Sequence, residues 1–219
     1  MIAPLSFVLA NTVLTAPSLV PEIRLHLATE ILPLWNKTEA EIEKHGLPPP
    51  YWAFAWAGGQ ALARYVLDNP EIVRGHAVLD FGSGSGLVAI AAAKAGAASV
   101  IAADIDAFAA AAIALNASAN GAVLAVQQDD VLAGACKSDT VLVGDMCYER
   151  PLSDLLLTWL TEAARNGAAV YLGDPGRSYF PKSGVEKLAS YQVETSRELE
   201  DRDVRATAVY RLRPADGPT

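Results

Sequence analysis

The chain is short of the residues that carry metal and redox chemistry: of 219 residues, three are histidine and two are cysteine. His26, His45 and His76 stand singly, with no cysteine or carboxylate grouping at metal-ligand spacing, so no metal site is expected. Cys136 and Cys147 are too few for a disulfide framework, which predicts a reducing compartment, the cytoplasm. Positive charge is also scarce. Lys and Arg number 17 against 25 Asp and Glu, a net charge of −8. Binding along a phosphate backbone needs the opposite sign, so no nucleic-acid partner is expected. No apolar run is long enough for a bilayer, and no Lys or Arg precedes Arg24, which predicts neither a membrane anchor nor a secretory or organelle leader. What remains suits a monomer with one main domain, a size that buries about 70% of its unfolded surface.

What is present is organised around Ala77 to Ile90, AVLDFGSGSGLVAI. An apolar run reaches Asp80, glycines follow at Gly82, Gly84 and Gly86, and an alanine-rich helix begins at Leu87. The pattern predicts a strand, a glycine turn and a helix, the turn offering bare main chain and free N–H groups to a nucleotide. A dinucleotide fingerprint wants glycine three places after Gly84, where Leu87 stands, so a nicotinamide cofactor fits poorly. The spacing D-x-G-x-G-x-G resembles instead the first motif of class I S-adenosylmethionine methyltransferases. That resemblance implies S-adenosyl-L-methionine as cofactor, with Asp80 helping to hold the methionyl amine.

Alternating strand and helix patterns follow along the chain. Ser99 to Ala103 predicts a second strand ending at Asp104, twenty places after Gly84, where a carboxylate can accept the ribose hydroxyls. Asp106 is read as the cap of a helix over Ala107 to Ala119. Val123 to Val126 predicts a third strand. Either Asp129 or Asp130 after it can meet the adenine, Asp130 being preferred and Asp129 read as a cap. Further strands are expected at Asp139 to Gly144 and Ala168 to Leu172, around a helix over Leu152 to Arg165. A short helix over Pro181 to Ala189 precedes a hairpin of Tyr191 to Leu199 with Val204 to Leu212. Upstream, Ile23, Leu25, Leu27, Ile31 and Leu32 suggest an amphipathic helix starting near Pro21, followed by a second helix from Thr38 to Lys44. The expected architecture is α/β: a seven-stranded, mostly parallel, doubly wound (Rossmann-like) methyltransferase sheet with a C-terminal antiparallel hairpin. Residues 1–46 form a helical N-terminal extension and 47–219 the methyltransferase domain.

Several pieces resemble, as a set, the protein lysine methyltransferases that modify the β subunit of electron transfer flavoprotein. They are Pro21 to Leu27, Pro50-Tyr51-Trp52-Ala53, Trp56 to Ala61, the glycine motif, Gly144-Asp145-Met146-x-Tyr148, and Gly173-Asp174-Pro175-Gly176-Arg177. Where that family has D-M-F-Y-D, this chain has Cys147 for the Phe and Glu149 for the final Asp, changes that bear on the lysine channel. The resemblance implies methyl transfer to protein lysines, with that β subunit as protein partner. It implies Asp145 and Tyr148 as catalytic residues that orient the amine, Asp145 or a water taking the proton. Trp56, Asp80, Gly82, Gly84, Ser85, Gly86, Asp104, Ile105, Asp130, Asp145 and Met146 are expected around the cofactor, and Trp52, Tyr148, Glu149, Asp174 and Arg177 around the substrate. Cys147 is expected to pack and not to react. Two other readings are a methyltransferase acting on a ribosomal protein or a small amine, and a non-catalytic cofactor-binding regulator.

Overall fold

The computed structural model describes residues 3–28, 49–195 and 203–213. A seven-stranded sheet runs through it, built from β3 (Ala77–Phe81), β4 (Ser99–Ala103), β5 (Ala125–Gln127), β6 (Thr140–Gly144), β7 (Ala169–Asp174), β8 (Val185–Glu194) and β9 (Val204–Leu212). Their order across the sheet is β5-β4-β3-β6-β7-β9-β8. The five strands from β5 to β7 are parallel, and β9 and β8 close the edge antiparallel. The chain reverses its winding between β3 and β6, which opens a crevice at the carboxyl ends of those strands.

Strand residues alternate between two cores because successive side chains leave a strand on opposite faces. Val78, Leu142, Tyr171 and Val209 face one side, beneath the helices α2 (Ala57–Asp68), α3 (Leu87–Lys94) and α4 (Ala107–Ala119). Leu79, Val141, Val143, Val170 and Leu172 face the other, against Leu156 and Leu160 of α5 (Arg150–Arg165). Burial on both faces is what lets these strands be apolar almost throughout.

The N-terminal region departs from expectation. Instead of a helix from Pro21, the chain turns at Pro21-Glu22 and forms β2 (Leu25–Leu27), antiparallel to β1 (Val13–Thr15). The alternation of buried Leu25 and Leu27 about half-buried His26 is a strand pattern. Two side chains at the end of α4 also claim this backbone: Asn116 accepts from His26 N–H at 2.7 Å, and Asn120, the residue capping the helix, pairs with both backbone polar groups of Arg24. Val20, Ile23 and Leu25 are fully buried in the same core as Val78 and Leu142. The helix of this extension lies earlier, at α1 (Pro4–Asn11), which packs Val8 and Phe7 against Phe108, Ala109 and Ala112 of α4. The expected helix from Thr38 to Lys44 lies outside the described residues.

A second correction concerns Pro181 to Ala189, expected as a helix. Gly184 takes a φ of 73°, a break in any helix, and from Val185 onward the chain pairs with β9. An irregularity between Lys187 and Ala189 absorbs one extra residue of β8, which hides the strand's alternation in the sequence. The expected third strand is shifted to Ala125–Gln127, leaving Val123 91% exposed. The bounds of α4 and β9 are those read from the sequence.

Candidate active site

The glycine turn after β3 is as read. Gly82, Gly84 and Gly86 all have positive φ (63°, 54° and 82°), a region open to glycine at little cost. A Cβ on Gly82 would collide with Met146, whereas on Gly84 its nearest neighbours lie at 3.8 Å or beyond. Gly84 therefore presents bare backbone at the cavity wall, with its neighbours no closer than ordinary contact. Asp80 sits beneath the turn, 2% exposed, its Oδ2 accepting from Ser83 Oγ at 2.6 Å and from Ala89 N–H at 3.0 Å. Burial pushes its carboxyl up to about 7, against the pull of those two bonds. Asp80, Ser83 and Ser85 line a small recess of about 40 Å³ behind the turn. Asn116 ties this turn to the N-terminal ribbon, since the side chain that accepts from His26 also donates to the Ser85 carbonyl at 2.7 Å.

A cavity of about 740 Å³ opens in front of the turn, at the carboxyl ends of β3, β4 and β6. Asp104 lines it, with one oxygen accepting from Gly84 N–H at 2.9 Å and the other from Asp106 N–H at 3.0 Å; burial holds its carboxyl above the usual range. Asp104 is thus fixed to the glycine turn by its own side chain, a bond that spacing alone does not reveal. Ile105, 78% exposed, stands at the rim. Asp106 caps α4 through Phe108 N–H, as expected. Asp129 and Asp130 both line the cavity, and the cap expected of Asp129 is made by Asp130, which accepts from Leu132 N–H at 3.0 Å.

The corner after β6 is the most constrained part. Asp145 adopts a φ of 57° and is the non-glycine residue with positive φ among the described residues. Its backbone N–H donates to the Gly173 carbonyl. Of its side-chain oxygens, Oδ2 accepts from Gly59 N–H at 3.0 Å, while Oδ1 accepts from Arg177 Nε at 3.0 Å and Nη2 at 2.7 Å. Gly58 at the start of α2 now has a reason that helix propensity does not give. A Cβ on Gly58 would collide with the Gly173 carbonyl and lie 2.5 Å from Asp145 Oδ2, and one on Gly144 would lie 3.0 Å from Gly59 Cα. Glycine facing glycine lets the amino end of α2 reach the Asp145 carboxylate, where helix N–H groups and dipole favour negative charge.

Of the expected substrate residues, Tyr148 and Glu149 line the outer part of the cavity. Tyr148 lies 5.4 Å from the ring of Tyr51, and burial first, then Tyr51 and Glu149, pushes its hydroxyl up to about 12. Tyr51 was not singled out by sequence; its signal was adjacency to Trp52 in an aromatic run. Trp52 reaches the cavity but is 2% exposed, stacked on Phe108 and edge-on to Phe7. Trp56 donates through Nε1 to the Tyr51 carbonyl, and the Arg177 guanidinium lies 5.6 Å from its ring centroid. Asp174 points into its own loop, where Oδ1 accepts from Gly176 and Arg177 N–H at 2.7 Å each. Cys147 is buried, its thiol pushed up to about 12 by burial and then by Asp174 and Asp145, which keeps it unreactive.

The arrangement pairs a cradle of bare main chain with an aromatic, acid-edged mouth, the layout of a nucleoside site opening on a site for an amine. A family model described as ribosomal protein L11 methyltransferase (PrmA) matches residues 60–146. The electron transfer flavoprotein beta subunit lysine methyltransferase of Xenopus laevis is 40% identical over 218 residues, covering 96% of this chain and 87% of that protein. The Homo sapiens protein of the same name is 38% identical over 224 residues, covering 95% and 82%. Magnesium protoporphyrin IX methyltransferase (ChlM) from Synechocystis PCC 6803, solved with bound SAM, shares the fold, with a TM-score of 0.52 at 20% identity over 71% of this chain and 77% of that one. With such identity over nearly its whole length, the chain belongs to the electron transfer flavoprotein beta subunit lysine methyltransferase family.

Proposed function

We propose that this methyltransferase moves methyl groups from S-adenosyl-L-methionine to lysine side chains of the electron transfer flavoprotein β subunit, as a monomer in the cytoplasm. The observation that carries the reading is the cavity of about 740 Å³, which runs from the Gly82–Gly84 main chain and the Asp104 carboxylate to the Tyr51–Tyr148 pair. The residues present fit the donor. Gly84 adds no side chain to its side of the cavity, Asp104 suits the ribose, and Asp129 or Asp130 with Ile105 suits the adenine, while Asp80, expected at the methionyl ammonium, lies in the small recess behind the turn. Bound there, the donor would supply a sulfonium methyl carbon that a neutral amine nitrogen can attack in line, the C–S bond breaking as the N–C bond forms and the thioether leaving neutral.

The protein's own part is orientation and drying. A lysine amine, with an ordinary pKa near 10.4, must lose a proton before it attacks. Tyr51 and Tyr148 form a collar in which desolvation favours the neutral amine, and Glu149 at the rim attracts the ammonium before entry. The Tyr148 hydroxyl stays protonated at neutral pH, so it serves as a hydrogen-bond partner. Both Asp145 oxygens already hold donors, which favours water over Asp145 as the proton's destination. Aligned, dry placement of this kind is worth several powers of ten in rate.

Mass spectrometry of recombinant β subunit after incubation with the chain and donor should show a gain of one or more methyl masses on lysine. Unmodified β subunit, with label from the donor appearing on a ribosomal protein or in small amines, would transfer the reading to another acceptor. The match of residues 60–146 to the ribosomal protein methyltransferase model makes the ribosomal acceptor the one to include.

A further inference from the structure

Arg177, expected at the substrate, lines the cavity, and its guanidinium is also engaged by the protein itself. Asp174 Oδ1 gathers the N–H groups of Gly176 and Arg177, a tight turn after β7 that sends the Arg177 side chain back across the end of the sheet. There Nε and Nη2 converge on one oxygen of Asp145, at 3.0 and 2.7 Å, and the guanidinium lies by the Trp56 ring. Trp56 in turn holds the Tyr51 carbonyl at 2.9 Å, while the Tyr179 N–H holds the Cys147 carbonyl at 3.2 Å. Tyr51 and Tyr148 are thus the outer ends of two segments joined through one guanidinium. Asp145 also keeps an unfavourable φ, which persists only where its surroundings hold it.

We infer that Arg177 is a positioning residue for methyl transfer, bracing the Asp145 corner against Trp56 so that Tyr51 and Tyr148 face each other across the mouth, and neutralising Asp145 before a cationic substrate arrives. The inference rests on the lysine-methylation reading for its kinetic consequence, though not for the brace itself. An arginine presented to the substrate would repel a lysine ammonium, whereas one spent on Asp145 makes a pair without net charge. Around this pair stand Glu149 and Tyr148 from the same loop, Asp174 from β7, Asp104 from β4 and Tyr51 from the turn before α2. Removing the guanidinium therefore leaves an uncompensated carboxylate beside the amine, which favours the ammonium form.

The test compares Arg177→Met, Arg177→Lys, Asp145→Asn and the Arg177→Met/Asp145→Asn double variant. Arg177→Met is expected to lower kcat at least about tenfold, as misplacement by an ångström does, with the donor Kd within about threefold of wild type. Its rate-against-pH midpoint should move to higher pH. Arg177→Lys keeps the charge but loses the two converging N–H groups, so it should restore the midpoint and only part of kcat. The double variant should also restore the midpoint. A wild-type kcat and midpoint in Arg177→Met, or a donor Kd that weakens as much as kcat falls, would overturn the inference. A readout independent of activity is the Arg177 Nε–H signal by NMR, expected to be protected from exchange in the wild type and lost in Asp145→Asn. A wild-type protein that methylates no lysine but shows that protected signal sinks the lysine reading and leaves the brace; an Nε–H exchanging as fast as in free arginine sinks the brace.

Discussion

A carboxylate sealed under a turn costs stability whenever it is charged, and Asp80 is such a group. Its folded value of about 7 lies well above the ~3.9 of an unfolded aspartate. Between those values the folded chain holds a proton that the unfolded chain has released, so stability falls as pH rises through this window and stays low above it. Asp80→Asn keeps an acceptor for Ser83 and Ala89 and removes the titration. Its Tm should match wild type below about pH 4, where the unfolded carboxyl is protonated too, and exceed it by several degrees at pH 8, while donor affinity drops because the charge meant for the methionyl ammonium is gone. A Tm difference that does not change with pH in thermal melts would refute this account of Asp80. A stabilised variant that binds poorly is the trade expected where a strained group serves a ligand.

Elements meet here through absent side chains. The amino end of α2 approaches β6 and β7 so closely that Gly58 and Gly173 have no room for a Cβ and Gly144 only a tight one, and that approach delivers Gly59 N–H to Asp145. Gly58→Ala should cost about 2–3 kcal/mol as overpacking against backbone that cannot yield, which in a chain of this length lowers Tm by about 4–12 °C. Gly59→Ala adds a Cβ that meets nothing within 4 Å and should leave Tm within about 2 °C. Scanning fluorimetry of the two variants checks the contrast; equal Tm values would mean that the helix tip is free to shift. Sequence pointed to this place, since two glycines at a helix entrance waste propensity, but it could not say that their partners were Gly144 and Gly173.

At the scale of the molecule, residues of the N-terminal extension share the core of the sheet. Val20, Ile23 and Leu25 are fully buried with Val78 and Leu142, and three such side chains are worth about 5–9 kcal/mol, comparable to the whole stability of a domain. A chain shortened to residues 47–219 should therefore lose cooperative unfolding in urea and its near-ultraviolet circular dichroism, while keeping helical signal. A sharp two-state transition in the shortened chain would show that the ribbon merely decorates the domain.

The sequence by itself determined the local grammar: strand, glycine turn and helix from Ala77 to Ile90, the cap at Asp106, and the acids at strand ends, because period, positive φ and capping are properties of neighbouring residues. It misread Pro21 to Leu27 and Pro181 to Ala189, where the choice between helix and strand was made by distant partners: Asn116 and Asn120 for one, the β9 ladder for the other. It named Asp145, Arg177 and Trp56 as site residues, and all three line the cavity. That Arg177 closes on Asp145 and Trp56, and that Tyr51 meets Tyr148, was decided only when segments about 30 to 120 residues apart came to one end of the sheet. Pairing of side chains across such separations follows from packing and topology, which no local pattern encodes.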